Sequence, residues 1–251
     1  MSDAEITEAL EEWTAWEREH DLFAPDNIRA ARDRNFESPG YREDLERRYA
    51  ASRTWKELEE ALEVAEAVDR AEAGETVDFK EHFDYTSGNQ FYDEGSLSDE
   101  EQLRDEYGFE LADVALFLLK TSTTVQKTTE NGRVYKPDFE EVADWPEESD
   151  SREIDSFRDA TASLYEKFGP ESEDSDFYSK VMNEDADTDE ILRQTDEILG
   201  DLSSIATELP KRSLSDYVAE KIRYNTEERS IDDMDADHPD PEKEFKRNYE
   251  K

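Results

Sequence analysis

Apolar residues recur at three- and four-residue intervals through most of the chain, a spacing that predicts helices. Ile6, Leu10, Trp13 and Trp16 mark a helix over 3–20, and a shorter one is expected over 26–35. A very polar helix is expected from Tyr41 to Tyr49. With Ser52 or Thr54 as its cap, a long helix then carries Leu58, Ala61, Leu62, Val64, Ala65 and Val68 on one arc, ended by Gly74. Ser98-Asp-Glu-Glu101 has capping-box spacing and opens another long helix, expected to kink at Gly108 and to run to about Gln126. Helical spacing returns over 154–168, 187–209 and 213–225. Between these lie an aromatic, turn-rich stretch at 75–98, a hairpin signal at Asn131-Gly132 and a polar connection over 138–152. After Ser230 there is little to bury, and a mobile acidic tail over 231–251 is expected. The fold class read from this pattern is all-α.

Two of these helices carry acids in unusual places. Leu111, Val114, Ala115 and Leu118 cover one side of the segment 110–119, while Ala112, Leu116 and Leu119 cover another. The segment is apolar nearly all round, as a buried helix is, yet Glu110 and Asp113 interrupt it three residues apart and on one face. A buried carboxylate without a partner costs several kcal/mol, so the pair calls for a cation. In the helix through Leu58, Glu59, Glu60, Glu63 and Glu66 gather opposite the apolar arc, and Glu59, Glu60 and Glu63 converge within one turn. Five carboxylates from two helices (Glu59, Glu60, Glu63, Glu110 and Asp113) can furnish an oxygen shell for Mg²⁺, with Mn²⁺ as the alternative ion.

Composition changes the picture in one respect. With 71 acidic against 30 basic residues, the formal charge is −41. Such an excess usually means disorder, but aromatics make up 11% of the chain, and the acids are interleaved with apolar residues. The expectation is a folded protein with a halophilic surface in a high-salt cytoplasm, where the Debye length falls to about 3 Å at 1 M salt. The 12 lysines against 18 arginines point the same way. No basic patch suits nucleic acid, no run suits a membrane span, and the N-terminus carries no secretory signal. Without cysteine there is no thiolate site. His20, His82 and His238 match no zinc spacing, and no phosphate-binding glycine loop or serine-hydrolase elbow is found.

Glu59-Glu60-x-x-Glu63 followed by Glu110-x-x-Asp113 resembles the EExxE…ExxD signature of the MazG-like all-α nucleotide pyrophosphohydrolases and their dimeric dUTPase relatives. The likeness covers about 53–73 and 106–127 well. It reaches 214–229 loosely, where Lys221-x-x-x-Asn225 with Arg229 is similar to a phosphate-holding motif. Two departures stand out: the gap from Glu63 to Glu110 is longer than usual, and Lys221 arrives about a hundred residues after Asp113.

The resemblance implies a multi-helix bundle with a catalytic domain over 53–230, insertions at about 75–98 and 128–210, and an N-terminal helical extension over 1–52. It implies Mg²⁺-dependent hydrolysis of a nucleoside triphosphate to monophosphate and pyrophosphate, in nucleotide-pool house-cleaning, by a homodimer. In that scheme Glu60, Glu63, Glu110 and Asp113 hold metal, while Glu59 and Glu63 are the catalytic carboxylates, Glu59 taking the proton of the attacking water. Lys221, Asn225 and Arg229, joined by Lys120 on the stripe of Asp113 and Phe117, face phosphate. A dUTPase- or dCTPase-like activity is the alternative within the class. A non-enzymatic acidic interaction protein is the rival outside it, because 71 acids offer many chances to write EExxE. A fold that binds nucleotide without turning it over is a third possibility.

Overall fold

A computed structural model describes residues 41–77, 99–129, 154–168, 176–181, 188–211 and 213–225. Helix α1 spans Tyr41–Glu72, α2 Asp99–Thr129, α3 Phe157–Phe168, α4 Asp176–Val181, α5 Thr188–Ala206 and α6 Leu214–Arg223. Among the described residues every regular element is a helix, as the periodicity predicts. No helix among them is long and apolar enough to cross a membrane. The expected helices over 3–20 and 26–35, the aromatic stretch from 78, the hairpin at Asn131-Gly132, the polar connection, the tail and Arg229 lie outside the described residues.

The two long helices form the centre. α1 and α2 pack along each other, α3 lies chiefly on α1, and α5 and α6 pack on α2. This explains why α2 is apolar nearly all round: Leu103, Leu111, Ala112, Leu116, Leu118 and Leu119 are all buried, and they point in several directions. Glu110 and Asp113 stand in the middle of this helix, not in its first turn, so helix-end electrostatics do not account for them.

One expectation is corrected. α1 runs unbroken from Tyr41 across residue 52, so neither Ser52 nor Thr54 caps a new helix. The Thr54 side chain is instead buried, its hydroxyl 3.2 Å from that of Thr121 on α2. Helix α2 continues through Gly108 to Thr129, as expected, and the glycine is packed against Tyr217. Gly74 does end α1: its φ of 84° lies in the left-handed region, and the Gly74 and Glu75 amides donate back to the Ala71 and Arg70 carbonyls at 2.9 and 3.0 Å.

The start of α3 is tied to α1 by one acid. Asp69 accepts hydrogen bonds from the Phe157 amide (2.9 Å), the Arg158 amide (3.2 Å) and the Ser156 hydroxyl (2.6 Å), while Ser156 Oγ accepts from the Asp159 amide at 3.1 Å. A carboxylate at a helix N-terminus satisfies amides that have no partner within the helix and faces the positive end of the dipole. Asp69→Ala is expected to cost about 1–2 kcal/mol, the range for loss of an N-terminal cap. A urea melt of the full chain measures it, and Asp69→Asn should retain part of the stability.

Candidate functional site

Which acids of α1 turn inward follows from helix geometry. At about 100° per residue, Glu60 lies about 60° around the helix from Glu57, Glu63 about 120° and Glu59 about 160°. The inward arc holds Ala61, Val64 and Val68, all buried, and Glu57 sits on it at 3% exposure. Glu60 occupies the rim of this arc, whereas Glu59, Glu63 and Glu66 face solvent. On α2, Glu106, Glu110 and Asp113 follow one another at i, i+4 and i+7 along a single stripe.

These two stripes meet. One carboxylate oxygen each from Glu57, Glu60 and Glu110 lie within 4.8 Å of one another. Asp113 stands one turn further along α2, with Lys221 Nζ of α6 at 2.6 Å from its Oδ2, and both side chains are largely buried. Arg53 reaches Glu57 at 2.6 Å and Lys56 reaches Glu60 at 2.7 Å. Glu106 is buried, and its Oε2 accepts no hydrogen bond among the described residues; the same is true of Asn225 Oδ1 at the end of α6.

The crowding is visible in the protonation of the acids. Burial, above all, pushes the Glu57 carboxyl up to about 8, against the pull of Arg53, and Asp113 and Glu60 add to the rise. Burial raises Glu106 to about 7 with Lys221 opposing, and raises Glu110 well above the ordinary range with Asp113 reinforcing it. Lys221 shows the converse: burial disfavours its charge, yet Asp113 and Glu110 hold its proton more tightly than usual.

A ring-in-notch contact sets the register of α6 and thereby of Lys221. Tyr217, one turn before Lys221, lays its ring against Gly108, where a Cβ would clash with the ring's Cζ and Cε atoms. The Tyr217 hydroxyl donates to Asp105 Oδ1 at 2.9 Å, and the ring meets Phe109 edge-on at a centroid distance of 5.3 Å. With Tyr217 fixed beside residues 105–109, the next turn of α6 brings Lys221 to Asp113.

The expected site is therefore assembled in part and shifted in part. Glu60, Glu110, Asp113 and Lys221 come together. Glu63 does not join them, because 60° further around α1 it points to solvent. Its expected place is taken by Glu57, so that the converging pair of α1 is Glu57-x-x-Glu60. Glu59 is exposed and accepts a hydrogen bond from Tyr165 of α3 at 3.2 Å, away from the converging oxygens. Lys120 sets its ammonium over the Phe117 ring at 4.6 Å. Sequence reasoning passed over Glu57 and Glu106, although each had a signal. Glu57 interrupts the arc of Ala61, Val64 and Val68, and Glu106 precedes Glu110 by one turn on the stripe that drew attention to Glu110 and Asp113.

As a donor set, Glu57, Glu60 and Glu110 offer only carboxylate oxygens, which suit Mg²⁺ or Mn²⁺ and give no preference for the softer metals. Arg53, Lys56 and Lys221 pair with Glu57, Glu60 and Asp113. The residues fit a hard divalent cation. No family model matches the chain, and neither a curated protein nor a solved structure matches it.

Proposed function

We propose that this protein is a divalent-cation-dependent nucleoside triphosphate pyrophosphohydrolase, releasing a monophosphate and pyrophosphate. The observation that carries the reading is the convergence of Glu57, Glu60 and Glu110 from two helices beside the Asp113–Lys221 pair. Glu57, Glu60 and Glu110, with Asp113 adjoining, would hold Mg²⁺ or Mn²⁺. A bound cation supplies charge neutralisation and polarises phosphoryl oxygens.

The remaining work falls to the chain's own groups. Lys221 presents an ammonium at the edge of the acids, where it can hold a phosphate oxygen as a compact point charge. Asn225, four residues on and just past the end of α6, is buried with its side-chain oxygen unpartnered among the described residues, and is assigned to help hold the phosphate. Glu106, buried one turn before Glu110 on the same stripe and with an Oε2 that accepts no hydrogen bond among the described residues, is the carboxylate we assign as acceptor of the proton from the attacking water. Phosphoryl transfer forms no covalent intermediate here in this reading, so positioning and fixed charge carry the rate.

The test is incubation of the full chain with a panel of NTPs and dNTPs, dUTP and dCTP included, with Mg²⁺ in molar KCl. Pyrophosphate release is expected, lost in Glu110→Gln and Glu106→Gln and retained in Glu63→Gln. Glu106→Gln should still bind Mn²⁺, which separates a proton acceptor from a ligand. Nucleotide binding without turnover would reduce the proposal to a binding protein, and neither binding nor turnover would favour a helical interaction protein.

A further inference from the structure

Lys221 is placed to do more than hold phosphate. Its ammonium lies 2.6 Å from Asp113 Oδ2, with the side chains 12% and 15% exposed, inside the packing of α2 and α6. Three acids of one α2 stripe act on it: Asp113, Glu110 and Glu106. Of these, Glu110 also contributes an oxygen to the group within 4.8 Å formed with Glu57 and Glu60. One carboxylate is thus shared between a resident monovalent cation and the set of oxygens that suits a divalent one.

We infer that Lys221 is an exchangeable internal counter-ion, which pairs with Asp113 in the cation-free protein and is released toward an incoming phosphate when a divalent ion takes Glu110 and Asp113. The inference rests on the metal-site reading above and adds an order of binding to it. The physical argument is competition. A doubly charged ion accepted by Glu110 withdraws one of the acids that hold the ammonium, and it repels the ammonium through a partly desolvated site. Lysine suits such a role because its head is a point charge on a flexible four-carbon stem, free to swing while its base on α6 stays fixed. Tyr217, wedged at Gly108 one turn earlier, keeps that base in place, so the movement is confined to the side chain. Metal and phosphate then bind cooperatively. Phosphate alone finds the ammonium committed to Asp113, and by linkage each ligand strengthens the other.

Two measurements on the full chain test this. In calorimetric titrations with Mn²⁺ alone, Lys221→Met, which removes the resident charge at similar volume, is expected to bind about tenfold more tightly than the unsubstituted protein. In the unsubstituted protein, labelling of Lys221 by an amine-reactive reagent, followed by peptide mass spectrometry, should rise severalfold on Mn²⁺ saturation. Labelling of Lys167, which pairs with Asp201 at 2.9 Å on the distant contact of α3 with α5, should stay constant. The labelling needs no variant and holds even if Lys221→Met fails to fold. Equal Mn²⁺ affinity in the two proteins, or unchanged Lys221 labelling with Mn²⁺ bound, overturns the exchange while leaving the metal site standing. No Mn²⁺ binding in either protein overturns both.

Discussion

Gly108→Ala is expected to destabilise the protein by about 1–3 kcal/mol, although alanine is the better helix former by about 1 kcal/mol. The added methyl would clash with Cζ and both Cε atoms of the Tyr217 ring. That ring cannot easily give way: its hydroxyl donates to Asp105, it accepts from the Lys211 amide at 3.4 Å, and Phe109 closes one side. Either the ring leaves its notch or α6 shifts away from α2, and both displace Lys221 from Asp113. Overpacking therefore outweighs helix propensity at this position. Gly200 of α5 is the internal control, since nothing lies within 4 Å of a Cβ built there. Gly200→Ala should be stabilising by about 0.5–1 kcal/mol. Parallel urea melts of the three proteins read both signs, and a Gly108→Ala protein at least as stable as the original would remove the notch from the account.

The second large effect is an inversion between stability and binding at Glu110. In the cation-free protein Glu57 and Glu106 take up protons at about pH 8 and 7, against an ordinary value of 4.5, and Glu110 is raised as well. Between pH 4.5 and those values the folded state holds protons that the unfolded chain has released. Folding stability from these groups is thus fully present at the acid end of the window and is lost as pH rises through 7 to 8. Chelator-treated protein should lose stability on the order of a few kcal/mol between pH 5.5 and 8.5. Glu110→Gln, which removes one of the crowded charges, should melt higher than the original at pH 8.5. Added Mn²⁺ should raise the melting temperature of the original at pH 8.5 far more than at pH 5.5, because cation and protons compete for the same oxygens, and should leave Glu110→Gln unmoved. Stabilisation and loss of the ligand in one substitution is the behaviour of a site whose strained charges are kept for binding. A melting temperature that rises with pH in chelator would contradict the protonation pattern.

Much of the fold was legible because helices announce themselves locally. The spacing of Leu58, Ala61, Val64 and Val68 is enough to orient α1, Gly74 carries its own backbone signal, and Glu110 and Asp113 stand out against an apolar segment. Other features depend on partners far along the chain. That Gly108 opens a notch is decided by Tyr217, and whether Thr54 caps a helix or fills its interior is decided by Thr121. Asp69 reads as one more surface acid until α3 presents its amides, 88 residues away. The shift from Glu63 to Glu57 has a different cause. Four acids in the window 57–63 leave several three-residue pairings open, and the EExxE text selects one of them, whereas packing selects by angle around the helix. The arc of buried residues, extended back, reaches Glu57.

Mn²⁺ titration by calorimetry at pH 7.5 on the full chain and on Glu57→Gln, Glu110→Gln and Glu63→Gln tests the convergence of the two acidic stripes most directly. Saturable binding is expected in the original and in Glu63→Gln, lost in the other two, with protons released as the ion enters. Binding that survives Glu57→Gln and Glu110→Gln, or that is lost in Glu63→Gln alone, would place the cation elsewhere and contradict the site described for this protein.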